Sequence, residues 1–192
     1  WLCFGLLAGF GLQNKYSMAI FGFGLITGLL LTPQRKLLAS RWFWIGGAVA
    51  FLVFLPNLAW NLAHGFPFLE LQANIRASGR NVPMPPGEFF TQEVITMLPL
   101  SAPIWLAGLW FFLFSRDGRQ FRALGWAFLA AALIIMRFNP RVYYLFPAFP
   151  VLFAGGGMLL ESLTGRPRLG WVKPVYASLM IAMALAAAPT AI

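Results

Sequence analysis

The sequence predicts an all-α fold, a polytopic transmembrane helical bundle of about six to seven spans. Three observations carry this. Hydrophobic residues fill 60% of the 192 positions and charged residues only 10%, and the mean hydropathy of +0.75 lies outside the range of soluble domains. The apolar positions gather into runs close to the roughly 20 residues that a helix needs to cross about 30 Å of hydrocarbon. No ten-residue segment alternates as a barrel strand would, and backbone in lipid must satisfy its own amides, so helices are the expected form.

The runs are taken in order as a partial span 1–12 and spans 16–32, 42–63, 93–114, 121–138, 147–163 and 174–192. The first stops at the polar Gln13, Asn14 and Lys15, and the second runs from there to Pro33. The third follows Arg41 and ends before His64. An outer loop, 64–92, closes on the proline-rich VPMPPGE and leads into the fourth, which ends before Ser115 and Arg116. Pro140 lacks an amide proton and biases Asn139 toward extended backbone, so the fifth ends near Phe138. Pro147 or Pro150 suits the first turn of the sixth, and Lys173 precedes the seventh. The chain begins and stops inside apolar runs, with neither an initiator Met nor a signal-peptide n-region, and is expected to be a piece of a longer protein, truncated at both ends.

Charge sets the expected orientation. Residues 33–41, 115–122 and 164–173 each carry three Lys or Arg, which assigns them to the cytoplasmic side. The Lys15 region, the 64–92 loop and the stretch from Arg137 to Pro147 then face outward. A net charge of +9 and a pI near 10.9 would suit nucleic acid if the cations formed one stripe, but they sit in small groups at helix ends, so nucleic acid is not a partner. The single cysteine, Cys3, excludes an internal disulfide, offers no metal-ligand spacing and is read as packing. No metal or cofactor is expected. Gly22 to Gly28, GFGLITG, approaches a dinucleotide-binding loop, but its third glycine is one place late and no strand precedes it. The GxxxG spacings Gly5/Gly9 and Gly24/Gly28, and the run Gly155 to Gly157, mark helix contact faces. Trp42, Trp44, Trp60 and Trp171 read as an interfacial belt.

Two polar groups interrupt this pattern. RFNPRVYYLFPAFP, 137–150, sets Arg137 and Arg141 on the face where topology does not favour positive charge. Guanidinium forks bind phosphate oxygens in pairs, and Tyr143 or Tyr144 adds a neutral donor, so an anionic headgroup fits; snorkelling arginines and belt tyrosines are the other reading. Lys15, in a polar break with almost no loop, is either an interfacial anchor or a further cation for the same anion. The 64–92 loop carries His64, Glu70, Gln72, Asn74, Arg76, Arg80 and Glu88, with a short interfacial helix expected near 68–77. His64, Glu70 and Gln72 are its candidates for contact with an acceptor. A lone histidine is not a metal site, and His64 is expected to hydrogen-bond at the interface. Glu93 reads as an acid favoured at a helix N-terminus, and Glu161 as a cap or as a partner of Arg166.

The wording of three segments resembles a known family. RVYYLFPAFPVLFAGGGMLLE (141–161) is similar to the signature [KR]-x-Y-Y-L-x-P-x-[YF]-P followed by a small-residue helix ending in Glu, found in membrane glycosyltransferases related to protein O-mannosyltransferases and lipid A aminoarabinose transferases. GLQNKYSMAIF (11–21) resembles the family's Gly-Leu-x-x-Lys-Tyr-[ST] segment, and LPNLAWNLAHGFPFLELQ (55–72) its Leu-Pro-x-x-x-Trp-Asn-x-x-His-x-[WF] segment. The three occur in the family's order over about 150 residues. The resemblance implies a GT-C type enzyme of a bacterial inner membrane that transfers a sugar from a polyprenyl-phosphate donor to a lipid, glycan or protein acceptor. It assigns Lys15, Arg141, Tyr143 and Tyr144 to the lipid phosphate, Arg141 standing where the family usually has Lys; Arg137 lies just outside the strict motif. The family's general base lies in an outer loop upstream of everything in this sequence, so no catalytic residue is assigned here and the chain by itself is expected to be inactive. A carrier or flippase for an anionic lipid or metabolite is the competing class, and a lipid-binding subunit without activity a third.

Overall fold

The computed structural model describes residues 1–79, 84–138, 141–165 and 169–187, and every side chain among them except that of Arg76. Arg80, Asn139, Pro140 and Arg166, each named above, lie outside the described residues, as does the Arg76 side chain. All regular structure is helical, with no strand among the described residues, so the protein is an all-helical membrane bundle. Among the described residues, three helical stretches are long and apolar enough to cross a membrane: Arg41–Ala63, Asp117–Phe138 and Val142–Thr164. A fourth is the pair Pro86–Thr96 and Pro99–Phe114, if its two arms, bent by 98°, count as one span.

The chain forms two compact units. The first comprises Trp1–Met84 and Trp126–Pro140. It holds α1 (Leu2–Asn14), α2 (Met18–Leu30), α3 (Arg41–Ala63), α4 (Pro67–Ala77) and most of α7 (Arg122–Phe138). Helix α1 packs along α3 through its glycines, because a Cβ on Gly5 would collide with the Gly46 carbonyl and one on Gly9 with Val53. Gly24 of α2 meets the Ala127 carbonyl of α7 in the same way. Cys3 is exposed, not packed as its apolar surroundings suggested: Gly5 and Gly9 turn their own face to α3, and position 3 points elsewhere on the helix. After Pro33 the chain makes a 3₁₀ turn to Ala39, and Ser40 caps α3 by accepting the Trp42 amide at 3.3 Å.

The second unit comprises Pro85–Gly125 and Arg141–Ile192. It holds α5 (Pro86–Thr96), α6 (Ala102–Phe114), the first turn of α7, α8 (Phe149–Thr164) and α9 (Val172–Ala187). Helices α6 and α8 pack backbone to backbone: a Cβ on Gly108 would strike the Leu152 carbonyl, and one on Gly156 the Ile104 carbonyl. Trp105, Phe111, Phe112, Phe149 and Leu152 fill the core around this crossing. Gly155 lies against the Phe112 ring, but Gly157, the third of that run, faces open space. Tyr176 of α9 donates its hydroxyl to the Leu100 carbonyl, and Lys173 pairs with Glu161 at 2.6 Å. Glu161 therefore has a partner twelve residues along the chain.

The end of α7 at Phe138, the position of Pro150 in the first turn of α8 and a helix over Pro67–Ala77 all agree with the sequence expectations. Glu93 does not. The Pro85-Pro86 pair starts α5 seven residues earlier than the apolar run suggested, so Glu88 occupies the first turn and Glu93 the last, the end a carboxylate does not favour. The chain then turns through Leu98, which holds a left-handed φ of 66°.

Candidate functional site

In the first unit, the polar break between α1 and α2 is tied to α3. The chain leaves α1 at Lys15, which is extended (φ −151°, ψ 120°) and exposed, its amide bonded to the Gly11 carbonyl at 2.8 Å. Immediately beside it, Tyr16 donates its hydroxyl to Asn57 Oδ1. Asn61 Nδ2 donates to the Tyr16 hydroxyl oxygen at 2.8 Å and to Asn57 Oδ1 at 3.0 Å. Gln13 Nε2 donates to the Val53 carbonyl at 2.6 Å, one residue beyond the carbonyl that Pro56 deprives of its helical donor. Tyr16 also packs on Phe68 at 4.3 Å and edge-on to Phe54 at 5.9 Å. Two of the three segments singled out in the sequence, 11–21 and 55–72, are thus parts of one polar and aromatic cluster around the Lys15 junction.

His64 closes α3, where its ring stacks on Trp60 at 4.3 Å and its Nδ1 lies 2.8 Å from the Trp60 carbonyl. Glu70 sits in the first turn of α4, exposed at the end a carboxylate favours, and Gln72 is half-buried on the same helix. Arg137 is exposed in the last turn of α7, where a cation complements the helix dipole, with its guanidinium 5.5 Å from the Phe138 ring centroid.

In the second unit, Arg141, Tyr143 and Tyr144 share a single turn. Arg141 is extended and half-buried, and its carbonyl accepts the Tyr144 amide at 3.0 Å, opening the 3₁₀ turn Val142–Tyr144. The two phenol rings stack at 4.6 Å with 28° between their planes. Leu145, 2% exposed, anchors the turn, and α5 packs against it. A guanidinium and two phenols in one turn can present several donors to one anion.

Sequence reasoning missed three features. Asn57 fell on an unassigned position of the 55–72 segment and Asn61 matched its Asn without being given a role, and their i, i+4 spacing was the available signal. Gln13 was taken only as part of the break. The burial of Glu93 was hidden by the misplaced start of its helix.

The fold and these clusters define an integral-membrane helical bundle with polar groups concentrated at its helix junctions. Residues 1–60 match the family model described as dolichyl-phosphate-mannose-protein mannosyltransferase, 60 of 192 positions. That range contains all of 11–21 and the beginning of 55–72, and it excludes 141–161. No curated protein and no solved structure matches the chain. The match points to a membrane glycosyltransferase for the segment that it covers.

Proposed function

We propose that the protein is an integral-membrane glycosyltransferase that takes a sugar from a polyprenyl-phosphate donor and transfers it to an acceptor at the outer face of a bacterial inner membrane. The observation that carries this reading is the family match over residues 1–60, which includes Tyr16 and Asn57, two members of one hydrogen-bonded cluster with Asn61. Arg141, Tyr143 and Tyr144 hold the lipid phosphate, and Lys15 and Arg137 add positive charge; for the last two the support is the sequence. As the bond between the sugar and the phosphate breaks, charge grows on the leaving phosphate. Fixed cationic and phenolic donors therefore stabilise the transition state more than the ground state. No carboxylate of this chain is assigned as the base that activates the acceptor. His64, Glu70 and Gln72 are the residues proposed to meet the acceptor.

The test uses the full-length protein that contains this chain, in membranes, with a panel of radiolabelled polyprenyl-phosphate sugars. Transfer of label to an acceptor, with release of polyprenyl phosphate, is the expected result. Movement of an anionic lipid across the bilayer without transfer would replace this reading with that of a carrier.

A further inference from the structure

Within the second unit, α6, α8 and α9 enclose an open groove of about 550 Å³. Its apolar walls include Ile104 of α6, Leu160 of α8 and Met180 and Ile181 of α9. Its polar lining residues, Thr164, Lys173 and Tyr176, belong to the end of α8 and the first turns of α9. Thr164 donates its hydroxyl to the Leu160 carbonyl at 2.7 Å and Tyr176 donates to the Leu100 carbonyl, so neither has a proton to offer a ligand. Lys173 does. Its ammonium carries three donors, and its ion pair is the bond from Nζ to Glu161 Oε1 at 2.6 Å. With side chains 41% and 69% exposed, that pair is weak enough to exchange for another anion.

Along α9 the lining positions 173, 177, 180 and 181 form one helical stripe, a cation followed by about 12 Å of apolar side chain. A charged end that runs into a hydrocarbon trough complements an amphiphile with an anionic head. A free anion would leave the walls unused, and an uncharged hydrocarbon would leave the ammonium unused.

We propose that this groove holds an acyl chain of an anionic phospholipid of the bilayer, with the lipid phosphate on Lys173 Nζ. Basic pockets between membrane helices bind anionic headgroups in this way. The charge of residues 164–173 assigns the lipid to the cytoplasmic leaflet. The Val142–Tyr144 turn precedes the opposite end of α8, about 22 Å away along the helix, so the two phosphate sites are separate. The proposal does not depend on the glycosyltransferase reading. Glu161 competes with the phosphate for the same ammonium and sets how tightly the lipid is held.

Native mass spectrometry of the full-length protein that contains this chain, titrated in detergent, gives dissociation constants for dioleoyl phosphatidylglycerol, dioleoyl phosphatidylcholine and polyprenyl phosphate. Lys173→Gln is expected to weaken phosphatidylglycerol about fivefold, the value of one cation at an anionic lipid, and to leave phosphatidylcholine within about twofold. Glu161→Gln is expected to strengthen phosphatidylglycerol about twofold or more, because it frees the ammonium and removes a like charge. Ala177→Trp, which places an indole in the groove, is expected to weaken both phospholipids about tenfold. The two exposed polar variants are expected to unfold thermally as wild type does, which reports an intact fold. Unchanged phosphatidylglycerol binding in Lys173→Gln overturns the proposal, as does equal weakening of both phospholipids by that variant. Polyprenyl phosphate that binds more tightly than phosphatidylglycerol and loses as much in Lys173→Gln also overturns it, and hands the groove to the donor lipid. If Ala177→Trp changes the oligomeric state and leaves lipid binding intact, a second copy of the chain fills the groove and the proposal falls.

Discussion

Asn61 donates through Nδ2 to the Tyr16 hydroxyl at 2.8 Å, joining the break between α1 and α2 to the last turns of α3. The bond spans 45 positions of sequence, and Asn61 is 6% exposed. A double-mutant cycle with Tyr16→Phe and Asn61→Ala is expected to return a coupling of about 0.6 kcal/mol, and at most about 1.7, the range of such bonds between membrane helices. Unfolding in mixed micelles measures it. A coupling of zero would mean that the two side chains do not meet.

The α6–α8 crossing depends on backbone contact at Gly108 and Gly156. Gly108→Ala is expected to destabilise the protein by about 1–3 kcal/mol, because the new methyl group meets the Leu152 carbonyl and the helices must separate. Gly157→Ala, facing open space, is expected to change stability by no more than about 0.5 kcal/mol. Thermal unfolding of the two variants side by side checks the contrast, and equal losses would contradict the packing.

In the full-length protein that contains this chain, Arg141→Ala is expected to lower turnover about 100-fold, the usual cost of deleting one donor to a developing anion. Arg141→Lys is expected to retain much more activity, since a lysine preserves the charge and the resembling family usually carries Lys there. Near-normal turnover of the alanine variant, with normal expression, would remove Arg141 from the phosphate site.

The Lys173–Glu161 pair joins the end of α8 to the start of α9, but its side chains are 41% and 69% exposed. Glu161→Ala is expected to cost less than about 1 kcal/mol, with the difference shrinking as salt is raised. A larger, salt-independent loss in thermal unfolding would show that the pair is shielded from solvent.

Much of the fold was legible because proline and small polar breaks act locally. Pro140 announced the end of α7 at Phe138, and Pro150 the first turn of α8. The Gln13 to Lys15 break announced the junction after α1. The spacing of Gly5 and Gly9 identified a contact face, although the partner helix, α3, could not be read from it. What escaped depends on distance along the chain. Nothing near Asn61 says that a tyrosine 45 positions away will accept its hydrogen bond. For Glu93, a proline pair that reads as loop in fact opens a helix, and this moved the acid from the favourable end to the other. The three donors Arg141, Tyr143 and Tyr144 were recognisable as a group because one turn of backbone carries all of them.

A proline inside a long helix ordinarily leaves a weak point where the rod can flex. In α3, the Gln13 amide reaches across from α1 to the Val53 carbonyl beside that weak point. Any bending at Pro56 must therefore drag the end of α1 with it or snap that link. Lys15, two residues beyond Gln13, is consequently mounted on a braced joint, so its ammonium would follow any swing of the rod in step.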